Sequence, residues 1–175
     1  MKMRDTEIIE ALRSKLSVDT GRHLYGVLGS YKRLGEFANK LSQAVAPDGT
    51  PFPSTLSVNK GILSSIPDAE FRELAENEAK RPEPTAAHVG KAFESFLRAN
   101  LKGRGLIVLG SLEMLFAYNV ELTLLRTMAA DEDRVLLLLP GRRSGGKVIM
   151  FPDLGEGYAL PTNLIADNHM WELEE

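Results

Sequence analysis

The stretch Gly29-Ser30-Tyr31-Lys32-Arg33-Leu34-Gly35-Glu36 brings together glycines and cations, the residue types that cradle a phosphate, directly after an apolar run. A phosphate loop needs Gly, four residues, Gly, Lys and then Ser or Thr. Backbone N–H groups and the lysine then hold phosphate oxygens, and the hydroxyl ligates magnesium. Here the second glycine comes one place late and Glu36 stands where the lysine belongs. A carboxylate at that point repels the β- and γ-phosphates. Gly29, Ser30, Lys32, Arg33 and Gly35 are therefore candidates for nucleotide contact only if Lys32 or Arg33 compensates from a reshaped loop. The competing reading is a helix start with surface charges.

A second string, Gly141-Arg142-Arg143-Ser144-Gly145-Gly146-Lys147, matches Gly, four residues, Gly, Lys, but Val148 occupies the hydroxyl position. The strand-like Val148-Ile149-Met150-Phe151 follows it, whereas a phosphate loop leads into a helix N-terminus. The string is expected to be a hairpin turn whose Arg142, Arg143 and Lys147 are available to nucleic acid or to an acidic partner. A third stretch, Gly105 to Glu113, places Gly110 where an ATPase ends a buried strand in a magnesium-holding aspartate. Glu113 is a candidate for nucleotide contact there, against its reading as a first-turn acid favoured by the helix dipole.

His23, His88 and His169 are far apart and no two histidines stand three or four places from each other, so no metal site is expected. No Gly-x-Ser-x-Gly elbow surrounds Ser30 or Ser111. With no cysteine, thiol catalysis and disulfides are excluded and a reducing compartment fits. Trp171 is a candidate for contact with a partner or ligand.

The elements needed to position these residues follow from hydrophobic pattern. Residues 1–20 read as an amphipathic helix carrying Ile8, Ile9, Leu12 and Leu16, and Leu24 to Leu28 as a buried strand. Leu34, Phe37, Ala38, Leu41 and Val45 recur at helical spacing until the turn chemistry at Pro47-Asp48-Gly49. Thr55 to Val58 reads as a strand, and Ser65 as the cap of a helix that opens with Pro67 and carries Phe71 and Leu74. Arg81-Pro82-Glu83-Pro84 is expected to be a stiff connector. Thr85 then caps a helix whose stripe is Val89, Ala92, Phe93, Phe96 and Leu97.

Gly105 to Leu109 and Val135 to Leu139 read as parallel strands covered on both faces, with a helix over Val120 to Met128 between them. Val148 to Phe151 adds an antiparallel edge strand, and 152–175 shows no period. The order predicts an α/β fold with a doubly wound, mostly parallel sheet in a single domain over 1–175. In such a sheet the ligand crevice lies at the carboxyl ends of the strands, so the turns at Gly29, Asn59, Gly110 and Pro140 are where a site belongs.

At 43% hydrophobic and 26% charged residues the composition is that of a globular chain, and a formal charge of −3 gives no global attraction to nucleic acid or an anionic membrane. No run approaches a membrane span or a signal peptide, so a soluble, cytoplasmic protein is expected.

Leu106-Ile107-Val108-Leu109-Gly110-Ser111-Leu112-Glu113-Met114-Leu115-Phe116, with the Leu122 to Met128 segment, resembles the small BrxF protein of BREX phage-exclusion systems. Val27-Leu28-Gly29 stands at that family's phosphate-loop place, and Leu56-Ser57-Val58-Asn59 with Ile62-Leu63 matches a further landmark. Leu139-Pro140-Gly141 with Gly145 and Ile149-Met150-Phe151 is similar to BrxB, a second small BREX component. The resemblance covers roughly residues 23–151 and implies a P-loop-type fold in phage defence. The chain departs from the family at Glu36 and Gly110, which puts ATP use in doubt. The combined expectation is a non-catalytic adaptor with degenerate phosphate and magnesium positions and no cofactor, working with other protein subunits of a defence complex. An atypical nucleotide-binding regulator using ATP with magnesium, a nucleic-acid-binding module and a homo-oligomer stay open.

Overall fold

The computed structural model describes residues 1–77, 82–101, 105–154 and 157–175, with backbone alone for Asp68, Phe71, Leu74, Ala75, Pro82 and Glu83. In chain order the first elements are β1 (Lys2–Met3), α1 (Asp5–Leu16), β2 (Leu24–Gly29), α2 (Tyr31–Ser42), β3 (Thr55–Ser57), α3 (Val58–Ser65) and α4 (Asp68–Asn77). They are followed by α5 (Pro82–Leu101), β4 (Leu106–Gly110), α6 (Glu113–Ala117), α7 (Thr123–Met128), β5 (Arg134–Ser144), β6 (Lys147–Met150) and β7 (Met170–Leu173). The strands lie in the order β1-β7-β2-β5-β4-β3 with every neighbouring pair parallel, and β6 pairs antiparallel with the far part of β5. The expected α/β fold with a mostly parallel sheet and an antiparallel edge strand is present.

Why the sheet is covered on both faces is visible in the alternation of its strands. Leu24 and Leu28 of β2, Ile107 and Leu109 of β4, and Val135, Leu137 and Leu139 of β5 face one core, which α3, α5, α6 and α7 complete with Ile62, Phe93, Leu97, Leu115 and Leu125. Tyr25, Val27, Val108, Leu136 and Leu138 alternate to the opposite face. There they meet Ile8 and Leu12 of α1 and Leu34, Phe37 and Leu41 of α2. Period-two side chains that are apolar at every position can be satisfied only between two helical layers. Burial of each such Leu or Val contributes about 1.5–3 kcal/mol.

Gly26 interrupts the first face, and the gap is used. A Cβ there would come within 2.8 Å of Leu139 Cδ1 and 2.9 Å of Ile165 Cδ1, so only glycine lets the segment around Ile165 lie on the sheet. The turn between β5 and β6 is Gly145-Gly146 with φ of +56° and +77°. Two consecutive positive φ values match the right-handed twist of a two-residue hairpin. The basic string 141–147 therefore forms a hairpin, as its sequence context indicates.

Several boundaries differ from the sequence reading. Helix α2 ends at Ser42, and the exposed Val45 instead bridges to Pro51 around a turn in which Asp48 accepts from the Thr50 N–H at 3.0 Å. Strand β3 stops at Ser57, whose hydroxyl accepts from the Lys60 N–H at 3.2 Å and so caps α3, a helix the pattern had not indicated. Ser65 closes α3 rather than capping the next helix. Helix α5 starts at Pro82, where a missing N–H has no consequence, and takes in the expected connector and cap: Thr85 is buried inside it. Arg81 and the side chains of Phe71 and Leu74 lie outside the described residues.

The helix expected over 120–128 is confined to α7, and the short α6 precedes it, the two separated at Asn119, whose φ of +51° no helix accommodates. The 152–175 stretch, expected to be irregular, contains β7 between β1 and β2. Trp171 is thereby 8% exposed and stacked on Tyr25 at 6.0 Å, which removes it as a surface contact.

Candidate functional site

Parallel pairing brings Gly29, Ser57 and Gly110 to one end of the sheet, the end where a ligand crevice is expected. A single residue separates β2 from α2 there. Ser30 has extended backbone (φ −69°, ψ 162°), and its hydroxyl accepts from the Arg33 N–H at 3.2 Å. That makes it an ordinary N-cap. A phosphate loop wraps several residues around its ligand between strand and helix, and here Lys32, Arg33 and Gly35 are already helical.

Their side chains have different fates. Lys32 is exposed and makes no ion pair among the described residues, and Gly35 faces open space. Arg33 is committed: Nη2 meets Asp5 Oδ1 at 2.6 Å, Nη1 pairs with Glu36, and Nε donates to the Glu174 carbonyl at 2.9 Å. Asp5 also pairs with Lys40 at 3.0 Å, and its side chain is 2% exposed. Burial alone would raise the Asp5 carboxyl, but hydrogen bonds from Lys40 and Arg33, with their charges, outweigh it and hold the group below its ordinary value. Glu36, which the sequence places where a phosphate-binding lysine would stand, is thus part of a bracket joining α1, α2 and the residue after β7.

Glu113 opens α6 across the same end of the sheet. Its Oε1 accepts from the Tyr31 hydroxyl at 3.1 Å and its Oε2 from Asn59 Nδ2 at 2.9 Å. Asn59 in turn accepts from the Met114 N–H at 3.0 Å through its side chain and donates its own N–H to the Ser111 carbonyl at 3.1 Å. Shielding of the Tyr31 hydroxyl, together with the charge and hydrogen bond of Glu113, pushes that phenol up to about 12. Tyr31 therefore acts as donor to a carboxylate at any ordinary pH. The turn feeding Glu113 is made by Ser111 at φ +52°. Gly110, in the place of a metal-binding aspartate, lies against β3, where a Cβ would come within 2.9 Å of Thr55 Cγ2.

Sequence reasoning placed Gly29, Ser30, Lys32, Arg33, Gly35 and Glu113 in one crevice, and all six do lie at the β2/β4 end of the sheet. It did not find Tyr31 as the partner of Glu113, and it marked Asn59 only as a turn. A polar side chain in each of three successive strand-to-helix turns was the available signal.

The basic hairpin does not act as one patch. Arg142 and Lys147 are exposed, but Arg143 sits on the opposite side of β5 from Arg142, and its Nη2 donates to the Met170 carbonyl at 2.9 Å, tying the hairpin to the start of β7. Lys147 lines a cavity beside the 159–167 segment.

The histidines also separate. His88 pairs with Glu70 at 2.8 Å. His23 Nδ1 lies 2.5 Å from the Tyr25 hydroxyl, and the His169 ring is 4.8 Å from that of Tyr25. Burial first, then the positive charge of Arg134 for His23 and of Lys15 for His169, lowers both imidazoles below their ordinary value. Among the described residues no group of three or more His, Asp or Glu is placed to hold a metal ion, and no helix is long and apolar enough to cross a membrane. Compared with known proteins, the chain matches no family model, no curated protein and no solved structure.

Proposed function

We propose that this protein is a non-catalytic adaptor: a P-loop-like α/β subunit that works through protein contacts in a phage-exclusion assembly of the BREX type. The observation that carries the non-catalytic part is the one-residue junction at Ser30, which leaves no loop to wrap a triphosphate. The engagement of Glu113 with Tyr31 and Asn59, and of Arg33 with Asp5, supports the same reading, because the groups that would meet magnesium and phosphate already serve each other. The assembly part rests on the resemblance of residues 23–151 to BrxF and BrxB.

Isolation of the tagged chain from its native host tests the adaptor reading. The expected result is stoichiometric co-isolation of larger subunits of a defence system, stable in moderate salt. A chain that elutes alone under gentle conditions contradicts it.

A nucleotide-binding regulator is the second reading, favoured by one observation: Lys32 is exposed, free of ion pairs among the described residues, and lies in the first turn of α2. It requires a thermal shift with ATP, ADP or GTP that is lost in Lys32→Gln.

A further inference from the structure

A cavity of about 650 Å³ opens at the other end of β2 from the Gly29 crevice. It lies between the tip of the β5–β6 hairpin (Gly146, Lys147, Val148) and the segment 159–167. Arg22 enters it from the residues leading into β2, and Arg126 from α7. Seven residues of extended chain, on the order of 20 Å, separate Arg22 from Gly29.

Three cations, Arg22, Arg126 and Lys147, and one carboxylate, Asp167, line this space. In a chain of formal charge −3 that is a local concentration of positive charge. None of the three cations has an ion pair or side-chain hydrogen bond among the described residues. Arg126 Nε is a donor shut off from solvent with no acceptor among the described residues. Buried guanidinium donors are ordinarily satisfied, so this one beside a cavity suits an acceptor brought by a ligand. The lining also has an apolar part: Val148, Leu160, Ile165 and Met170 keep 5–9% of their surface exposed. The volume lies within the range of small-molecule sites, and an apolar wall with a few convergent polar groups is their usual make-up.

We propose that this cavity is a binding site for a small organic phosphate of about nucleoside-monophosphate size. The Arg126 fork, with Arg22 and Lys147, meets the dianionic phosphomonoester, as a guanidinium does by paired N–H donors. The organic part lies on the wall formed by Val148, Leu160 and Ile165. Asp167 faces the hydroxyl or amino groups of the ligand rather than its phosphate. The site requires no magnesium and is independent of the adaptor reading of the Gly29 crevice.

Calorimetric titration of the full chain with inorganic phosphate, with each of the four common ribonucleoside monophosphates and with adenosine tests it. Saturable binding of at least one monophosphate without magnesium is expected. Adenosine should not bind, and affinity should fall tenfold or more in Arg126→Gln and in Lys147→Gln. Lys60→Gln, remote from the cavity, should bind as the parent does. Lys147 is exposed at the hairpin tip, so its variant folds even where Arg126→Gln does not. A monophosphate that binds more tightly than inorganic phosphate identifies an organic phosphate as the ligand; equal affinities identify bare phosphate and overturn the size assignment. Absence of saturable binding overturns the proposal, as does binding unchanged in Lys147→Gln or lost instead in Lys32→Gln.

Discussion

The two ends of β2 carry similar side chains in opposite states. At the Gly29 end an arginine, a glutamate, a tyrosine and an asparagine lie at the strand-to-helix turns, and each is hydrogen-bonded to a neighbour in the fold. At the Arg22 end three cations line an open cavity without partners among the described residues. The difference teaches that a basic residue in a motif position is informative only once its acceptors are known. Arg33 fits a phosphate-contact position by sequence and is occupied by Asp5; Arg126 fits no motif and has no side-chain partner among the described residues.

The largest effect should come from breaking the bracket that keeps Arg33 occupied. Asp5→Asn removes the buried carboxylate on which Arg33 and Lys40 converge. It should destabilise the fold by about 2–3 kcal/mol, at the low end for a buried pair because Lys40 is largely exposed. Thermal unfolding should drop by about 5–10 °C. The same variant weakens one of the three contacts that hold Arg33, leaving Glu36 and the Glu174 carbonyl. If it gains a nucleotide-dependent thermal shift that the parent lacks, occupation by Asp5 was what closed that end.

Restoring the missing aspartate should cost stability without restoring chemistry. Gly110→Asp forces a Cβ toward Thr55 on the neighbouring strand, and about 1–3 kcal/mol is expected from such overpacking, measured by urea unfolding. No magnesium-dependent turnover should appear, because a single residue, Ser30, still joins β2 to α2.

Much of this contrast could be read in the sequence at the Gly29 end and little at the other. Strands β2, β4 and β5 were legible because apolar residues at every position, bounded by glycine or charge, leave few alternatives to a strand between two helical layers. Helix α3 was masked by Val58, a strand former that the Ser57 cap draws into a helix. Strand β7 was hidden because Met-Trp-Glu-Leu is short, and its place is fixed only by pairing with β1 and β2, across more than 140 residues of chain. The cavity was invisible for the same reason: Arg22, Arg126 and Lys147 are isolated cations in sequence, and the glycine at position 26 that lets the 165 segment settle on the sheet shows nothing of what that settling encloses.

Glu113→Gln sharpens the comparison more gently. Loss of the carboxylate should lower stability by about 1 kcal/mol. It should also bring the Tyr31 phenol part of the way back from about 12 toward 10, since the neighbouring charge and hydrogen bond are removed while the shielding stays. Alkaline difference absorbance should show the shift.

The smallest effect is the pH dependence of the buried His23 and half-buried His169 near the Arg22 end. His23 and His169 have lowered pKa values, so the folded protein keeps them neutral while the unfolded chain protonates them. Their contribution is complete above the unfolded value of about 6.5 and is lost as pH falls below it, at no more than about 1.4 kcal/mol per pH unit for each. For His23 the neighbouring Asp131 opposes the shift and Arg134 adds to it. A His23→Gln variant should show a shallower loss of stability between pH 6.5 and 5 than the parent.

The most direct test of the central claim is magnesium-dependent ATP turnover by the purified chain, measured as phosphate release beside Lys32→Gln and Glu113→Gln. The expected result is release at the level of the protein-free control for all three. Turnover by the parent that either substitution abolishes would contradict the reading of the Gly29 end as closed.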